Sequence, residues 1–163
     1  MENTPNPAEA DTATQEEFGI QNIYTKDISF EAPNSPQIFM EQWKPHLELE
    51  MSNDIKKLNE DIYEVVLNIT ATAKLEEKTA FLVEVHQAGL FVLKGFAENK
   101  LSYMLHSYCP NILFPFVRET ISNLVTRGGF QLPLLAPINF DALYTQQLQQ
   151  KQQQEQKPTI NAN

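Results

Sequence analysis

Four residues of this chain have side chains suited to chemistry: one cysteine and three histidines, at Cys109, His46, His86 and His106. A thiolate beside an imidazole can act as a nucleophile, and cysteines and histidines at short spacing can bind zinc. The histidines lie far apart, and Cys109 precedes Pro110 in an apolar, helix-like stretch, where a free cysteine usually packs as a small hydrophobe. We therefore predict no metal site and no catalytic pair, although a cleft holding both His86 and Cys109 would reverse that.

Glycines and acidic residues give no sign of an active site either. The chain has five glycines, of which Gly128 and Gly129 are adjacent, and they match neither a dinucleotide fingerprint nor a phosphate-binding loop. Glu76 and Glu77, next to Lys78, are most simply a charged hairpin turn, although two buried carboxylates can share a proton. The prediction is a protein that is not an enzyme and has no cofactor.

Composition limits the class of protein. With 163 residues and 42% hydrophobic content, the chain is long enough for one globular domain. Its net charge of -9 argues against nucleic acid as a partner, because phosphate binding depends on lysine and arginine, and favours a basic protein surface. A lone cysteine fits a reducing compartment, and neither a signal peptide nor an apolar run of roughly 18 residues is visible. We expect a cytoplasmic protein that does not insert into a membrane.

The two ends differ in composition from the middle of the chain. Residues 1–17 are rich in acid, threonine, alanine and proline, which predicts a disordered N-terminal tail. Residues 149–163 continue a glutamine-rich tract, which predicts a disordered C-terminal tail after a fraying helix. Between them, residues 18–148 form the predicted domain, in which alternating patterns come first and helical spacing follows, as in α+β proteins.

Alternation of apolar and polar residues predicts four strands. The clearest lies at 63–73, residues 47–52 repeat the pattern, and 18–31 is weaker because Asn22 and Lys26 interrupt its apolar side. The fourth strand, at 79–94, is apolar on both faces: Phe81, Val83, Val85 and Gln87 share one face, and Leu82, Glu84 and His86 the other. Only two helical segments remain to cover the sheet, so we predict that one face contacts another subunit. A central strand covered on both faces within one chain fits the pattern equally well.

Helical spacing begins at Glu98 and continues to Val125. Pro110 and Pro115 each remove a backbone donor, which predicts a bend or break in this helix. A second helix is predicted after Asn139, whose side chain can cap its first turn. The predicted fold is therefore α+β: a four-stranded antiparallel sheet with a long, proline-interrupted helix and a C-terminal helix packed on one face.

The only tryptophan, Trp43, lies in an aromatic segment at 39–43, between Pro36 and Pro45. A tryptophan in a loop often anchors a contact. The segment either covers the core of its own domain or lines a groove for apolar side chains of a ligand.

Several long segments closely resemble the SecB family: IYTKDISFEAPNSP at 23–36, DIYEVVLNITATA at 61–73, YCPNILFPFVRETI at 108–121 and APINFDAL at 136–143. The resemblance covers essentially residues 18–148. It implies a bacterial cytosolic chaperone that binds unfolded precursor proteins without ATP, keeps them competent for Sec-dependent export and delivers them to the SecA ATPase. It also implies a homotetramer, assembled as a dimer of dimers.

The resemblance assigns roles to two groups of residues. Positions associated with assembly are Val83, Val85 and Gln87. The SecA-facing surface comprises Asp27, Glu31, Leu82 and Glu84, whose acids suit a basic partner. For the groove that holds unfolded clients, aromatic character in loops and on helix faces selects Phe39, Trp43, Tyr108 and Phe140, which fit core positions equally well.

The chain departs from the usual family pattern at Phe116, Val117 and Val83, and its glutamine-rich tail argues against tail-mediated contacts with SecA. The alternative function is an oligomeric scaffold for specific folded partners, without holding activity. One observation separates the two, since only a chaperone delays the folding of an unrelated precursor and ignores its native form.

Overall fold

The computed structural model describes residues 14–131 and 135–155. The predicted tails lie partly outside these ranges, because residues 1–13 and 156–163 are not among the described residues. The last helix continues to Glu155, so residues 149–155 of the predicted C-terminal tail are helical and exposed.

Four long strands form one antiparallel sheet, which confirms the predicted α+β fold class. They are β1 (Glu17–Glu31), β2 (His46–Lys57), β3 (Ile62–Leu75) and β4 (Lys78–Lys94). The spatial order is β1-β4-β3-β2, so β4 and β3 are central and β1 and β2 form the edges. Because β1 lies beside β4, the chain crosses between β1 and β2 through a connection that contains a short 3₁₀ turn at Gln37–Met40.

The tight turn predicted from charged residues joins β3 to β4. Leu75 pairs with Lys78, which leaves Glu76 and Glu77 as the two loop residues. Glu76 has a φ of 52°, the left-handed conformation typical of two-residue hairpin turns. The turn therefore holds the two central strands in register.

Simple alternation fails in β1. Its pairing with β4 shifts twice, between Ile20 and Asn22 and again between Thr25 and Asp27. Each shift is a β-bulge, which adds one residue and reverses the phase of the side chains beyond it. As a result Tyr24 lies on the face away from the core, although its even spacing from Phe18, Ile20 and Ile28 predicts the apolar face.

The helical half of the chain comprises α1 (Glu98–Tyr103), a π-helical turn (Met104–Tyr108), α2 (Cys109–Arg127) and α3 (Phe140–Glu155). The predicted interruption lies just before Pro110, where the N–H of Cys109 donates to the carbonyl of Met104, five residues earlier. Pro115 lies inside α2, which continues through it, so no break occurs there. The cap predicted at Asn139 is confirmed, since its Oδ1 accepts the N–H of Ala142 at 3.0 Å.

The core lies between the sheet and α2, which packs across β4 and β3. Its fully buried side chains include Leu67, Phe81, Val83, Val85, Phe91, Leu113, Val117, Ile121 and Val125. Burial of each is worth about 1.5–3 kcal/mol relative to exposure. Gly89 permits the close packing, because a Cβ there would lie 2.6 Å from the ring of Phe91 and 3.2 Å from the side chain of Leu113. We call this side of the sheet the helix-facing side and the opposite side the open face.

Candidate functional site

An aromatic cleft opens where the β1–β2 connection meets the loop after α2. Its volume is about 220 Å³, and it is lined by Ile38, Phe39, Glu41, Trp43, Gly129, Phe130 and Gln131. Phe130 lies at its centre, with its ring centroid 4.9 Å from that of Phe39 and 5.6 Å from that of Trp43. Phe130 also packs against Phe81 of the core, at 5.3 Å, so the sheet supports the cleft from below.

Polar groups at the rim of the aromatic cleft are paired. Nε1 of Trp43 donates to the carbonyl of Gln131 at 3.2 Å. Nζ of Lys78 donates to Oε1 of Glu41 at 2.5 Å, and this hydrogen bond raises the pKa of the lysine. Phe39 remains 49% exposed. An apolar side chain from another molecule can therefore gain contact with the cleft without displacing a buried polar group.

An apolar strip, formed by Leu49 and Met51, begins on β2 a few residues after Trp43. Both side chains lie on the helix-facing side, because they pair with the buried Ala71 and Ile69. α2 packs on β3 and β4 and leaves this edge open, so Leu49 is 49% and Met51 is 37% exposed. Within the described residues, the outer edge of β2 has no strand partner. The strip thus offers an extended polypeptide both apolar contacts and free backbone hydrogen-bonding groups.

The four aromatic candidates do not form one groove. Phe39 and Trp43 share the aromatic cleft, whereas Phe140 is only 5% exposed and packs against Phe114, with ring centroids 6.0 Å apart. Phe140 takes the core position that its aromatic character fitted equally well, at the start of α3, and its contact with clients stays a prediction.

Tyr108 lies apart from the aromatic cleft as well. Its ring packs edge-on against Phe18 of β1 at 5.2 Å. It borders a second, polar cleft of about 420 Å³ between the π-helical turn and the start of α3. In that cleft Oγ of Ser107 donates to Oδ1 of Asp141 at 2.5 Å, and a hydrogen bond to Asp141 raises the pKa of Tyr103. The structure therefore separates Tyr108 from Phe39 and Trp43.

The four residues predicted to form a docking surface do lie together, on the open face. Asp27 and Glu31 of β1 pair with His86 and Leu82 of β4, and Glu84 projects to the same side because side chains alternate along a strand. Asp27 and Glu31 form no ion pair with another residue of the described ranges. We call Asp27, Glu31 and Glu84, grouped around Leu82, the acidic face.

The charges next to the acidic face are paired. Nζ of Lys26 donates to Oε1 of Glu64 at 2.7 Å, and the hydroxyl of Tyr24 donates to its Oε2 at 2.5 Å. These two hydrogen bonds, that of Lys26 first, lower the pKa of Glu64, and burial together with Glu64 raises the pKa of Tyr24 to about 12. Nε2 of His86 lies 2.5 Å from Oε1 of Glu84. Lys26 is thus engaged by Glu64 and leaves the acidic face largely uncompensated.

The residues associated with assembly lie on the other side of β4. Val83 and Val85 are 0% exposed and Gln87 is 3% exposed, beneath α2. Oγ1 of Thr25 donates to Oε1 of Gln87 at 3.2 Å. The expectation that this face is left over for a partner subunit is wrong, because the chain's own helix covers it. That these residues affect assembly stays a prediction. Because they are buried, they would do so by setting the position of α2.

The geometry also excludes the cysteine and histidine pair. His86 projects from the open face, whereas Cys109 is 0% exposed on α2, on the helix-facing side, and burial raises the pKa of its thiol to about 12. Across residues 14–131 and 135–155, no group of three or more histidine, cysteine or acidic side chains could hold a metal ion. No helix in the described part of the chain is long and apolar enough to cross a membrane.

Sequence reasoning missed the two other apolar side chains of the aromatic cleft, those of Phe130 and Ile38. Phe130 follows Gly128 and Gly129, and the φ of 86° at Gly129 turns the chain back towards the sheet. The apolar composition of the loop after these glycines was the available signal for Phe130. The contact of Phe130 with Trp43, however, joins segments far apart in the sequence, which composition does not indicate.

Comparisons with known proteins agree with this architecture. A family model described as preprotein translocase subunit SecB matches residues 11–151. The protein-export protein SecB of Nitrosococcus oceani is 56% identical over 153 residues, covering 93% of each chain. That of Methylococcus capsulatus is 52% identical, over 93% of this chain and 98% of its own.

A solved structure shows the same fold at low identity. The SecB-like chaperone of Mycobacterium tuberculosis, in complex with a peptide from an antitoxin, superposes with a TM-score of 0.60 at 14% identity, covering 74% of this chain and 89% of that one. The match to the family model spans most of the chain, and the two relatives named above are 56% and 52% identical to it. This chain therefore belongs to the SecB family of protein-export chaperones, which are not enzymes.

Proposed function

We propose that this chain binds unfolded precursor proteins in the cytoplasm without ATP, keeps them competent for translocation and delivers them to the SecA ATPase. The observation that carries the proposal is the exposed aromatic cleft together with the apolar strip of β2. Unfolded chains expose apolar side chains that native proteins bury. Such a surface therefore selects clients by their exposure of apolar groups and not by a particular sequence.

Client binding and SecA docking use opposite sides of the sheet in this proposal. The aromatic cleft and the apolar strip lie on the helix-facing side, and the acidic face lies on the open face. A client can then remain bound while SecA docks. Charge speeds encounter with a basic partner and is weakened by salt, whereas apolar burial supplies affinity for clients.

A homotetramer, arranged as a dimer of dimers, is the proposed assembly. Two exposed apolar regions support it: Phe116 on α2 is 44% exposed, and Ile20 and Ile28 on the edge strand β1 are 48% and 46% exposed. Exposed edge strands with apolar side chains favour pairing between chains. Sedimentation equilibrium should give four times the chain mass of 18.6 kDa, and a monomer at micromolar concentration would contradict the assembly.

Trp43 provides a direct test of client holding, because it is the only tryptophan and lines the aromatic cleft. An unfolded precursor without tryptophan, added in the absence of nucleotide, should change the emission of Trp43 in a saturable way. The native form of the same protein should leave the emission unchanged. A response to the native form alone would instead favour a scaffold for folded partners.

The docking part of the proposal is tested by removing charge from the acidic face. The double variant Asp27→Asn with Glu84→Gln should bind SecA more weakly and hold clients normally. The matched control, Glu48→Gln with Glu50→Gln, removes the same number of charges from β2, at the other edge of the sheet, and should bind SecA as before. Equal losses in both double variants, or in both assays, would count against the acidic face as the docking surface.

A further inference from the structure

The open face contains one titratable group that the proposed docking does not use, His86. It lies on the central strand β4, directly opposite Asp27 of β1, and its Nε2 lies 2.5 Å from Oε1 of Glu84. Because a carboxylate accepts, this nitrogen carries the donated proton. The side chains of His86 and Glu84 are 32% and 41% exposed, so a partner that docks on the acidic face would meet both.

The groups around His86 are acidic or neutral on every neighbouring strand. Asp27 faces it from β1 and Glu84 from β4 itself. Asn68 of β3 pairs with it, and Nδ2 of Asn68 donates to Oδ2 of Asp54 on β2 at 2.7 Å. On β1 the nearest ammonium group is that of Lys26, and it is held by Glu64, which lies four residue pairs from His86 along the β3–β4 ladder. The imidazole, at the end of the acidic face beside Asp27 and Glu84, is therefore the group whose protonation changes the charge of that face.

We propose that His86 sets the charge of the acidic face and makes the docking of a basic partner dependent on pH. The acidic face carries three carboxylates, Asp27, Glu31 and Glu84, so a protonated imidazole among them removes one of three net negative charges. Imidazole is the side chain that changes charge between about pH 5 and 8. Protonation adds positive charge, so affinity for a basic partner falls as the pH falls. This inference rests on the proposed docking of SecA to the same face.

The test compares the affinity of the full chain for SecA at pH 8 and pH 6, at constant low ionic strength, with the variant His86→Gln. Glutamine keeps a hydrogen-bond donor for Glu84 but cannot gain a charge. The two proteins should bind equally at pH 8, and at pH 6 the unsubstituted chain should bind about threefold more weakly than the variant, as expected for one partly exposed charge. His46→Gln is the matched control, because His46 also lies on a strand beside an acid, Glu48, but at the far edge. It should behave as the unsubstituted chain.

Each other outcome overturns the inference. Parallel pH profiles for the unsubstituted chain and His86→Gln would show that the imidazole does not set the charge that SecA meets. If His46→Gln changed the pH dependence of SecA affinity as much as His86→Gln does, the effect would come from the overall charge of the chain and not from the acidic face. Loss of client holding in His86→Gln would indicate a structural role, since the aromatic cleft lies on the other side of the sheet. Absence of SecA binding at pH 8 in both proteins would refute the docking proposal itself, and with it this inference.

Discussion

Truncation of Phe39 to alanine should weaken client binding and lower the free energy of unfolding by a similar amount, about 1 kcal/mol each. The side chain is 49% exposed, so roughly half of its surface is already buried against Phe130 and its neighbours. Full burial of a phenylalanine is worth about 1.5–3 kcal/mol. The exposed half can therefore contribute about 1 kcal/mol to a bound client, and the buried half a similar amount to the fold. A loss of about 1 kcal/mol corresponds to an affinity about fivefold lower.

The assay is the saturable change in Trp43 emission on titration with an unfolded precursor that lacks tryptophan. Leu58→Ala is the control, because Leu58 is 48% exposed and lies past the opposite end of β2 from Trp43. It removes a similarly exposed apolar side chain outside the aromatic cleft. Urea denaturation of both variants measures the cost to the fold. Unchanged affinity in Phe39→Ala, or an equal loss in Leu58→Ala, would refute the aromatic cleft as the client site.

Three further predictions concern stability and reactivity. Glu64→Gln should lower the free energy of unfolding by about 1 kcal/mol at neutral pH. The pKa of Glu64 is lowered in the fold, so the stabilisation by Glu64 is present above its unfolded-state pKa and disappears as the pH falls through its folded-state pKa. In urea denaturation, the difference in unfolding free energy between Glu64→Gln and the unsubstituted chain should therefore shrink in acid. A difference that does not change with pH would contradict this role of Glu64. Cys109 should resist thiol reagents in the native state at mildly alkaline pH and react only in denaturant, because burial raises the pKa of its thiol to about 12. Rapid labelling of the native protein would be inconsistent with a core position for Cys109. Asn139→Ala should remove about 1 kcal/mol of capping and speed amide exchange in α3 alone, whereas faster exchange throughout the sheet would mean that α3 is part of the global folding unit.

Much of the fold could be predicted from local patterns. β3 has one side against the core and alternates except at Val66, which is also buried, so its position followed from side-chain period. The cap at Asn139 and the turn at Glu76 and Glu77 depend on residues next to each other in sequence, and both were predicted correctly. Patterns of this kind succeed because the physical cause lies within a few residues.

The errors arise where distant segments meet or where a strand is irregular. The bulges of β1 reverse the phase at Tyr24, and a pattern of alternation contains no sign of where an extra residue is inserted. The spacing of β4 predicts a face left for another subunit, but α2 buries Val83 and Val85, because the extent of sheet that a helix covers depends on packing and not on spacing. Phe130 was missed for the same reason, since its contact with Trp43 links residues far apart in the chain.

The acidic face is an intermediate case. The resemblance to the SecB family selected Asp27, Glu31, Leu82 and Glu84, and the register of β1 with β4 places them side by side. The neighbouring pair of Lys26 with Glu64, which leaves those acids uncompensated, depends on a hydrogen bond between β1 and β3 across β4. No sequence pattern indicates that bond.

The central claim, that this chain holds unfolded precursors without nucleotide, is tested most directly by the refolding of an unrelated, slow-folding precursor. The purified chain, in molar excess as assembled protein and without ATP, should delay the appearance of native precursor, and it should not change the activity of precursor that has already folded. An unaltered refolding rate at saturating concentration of the chain would contradict the account.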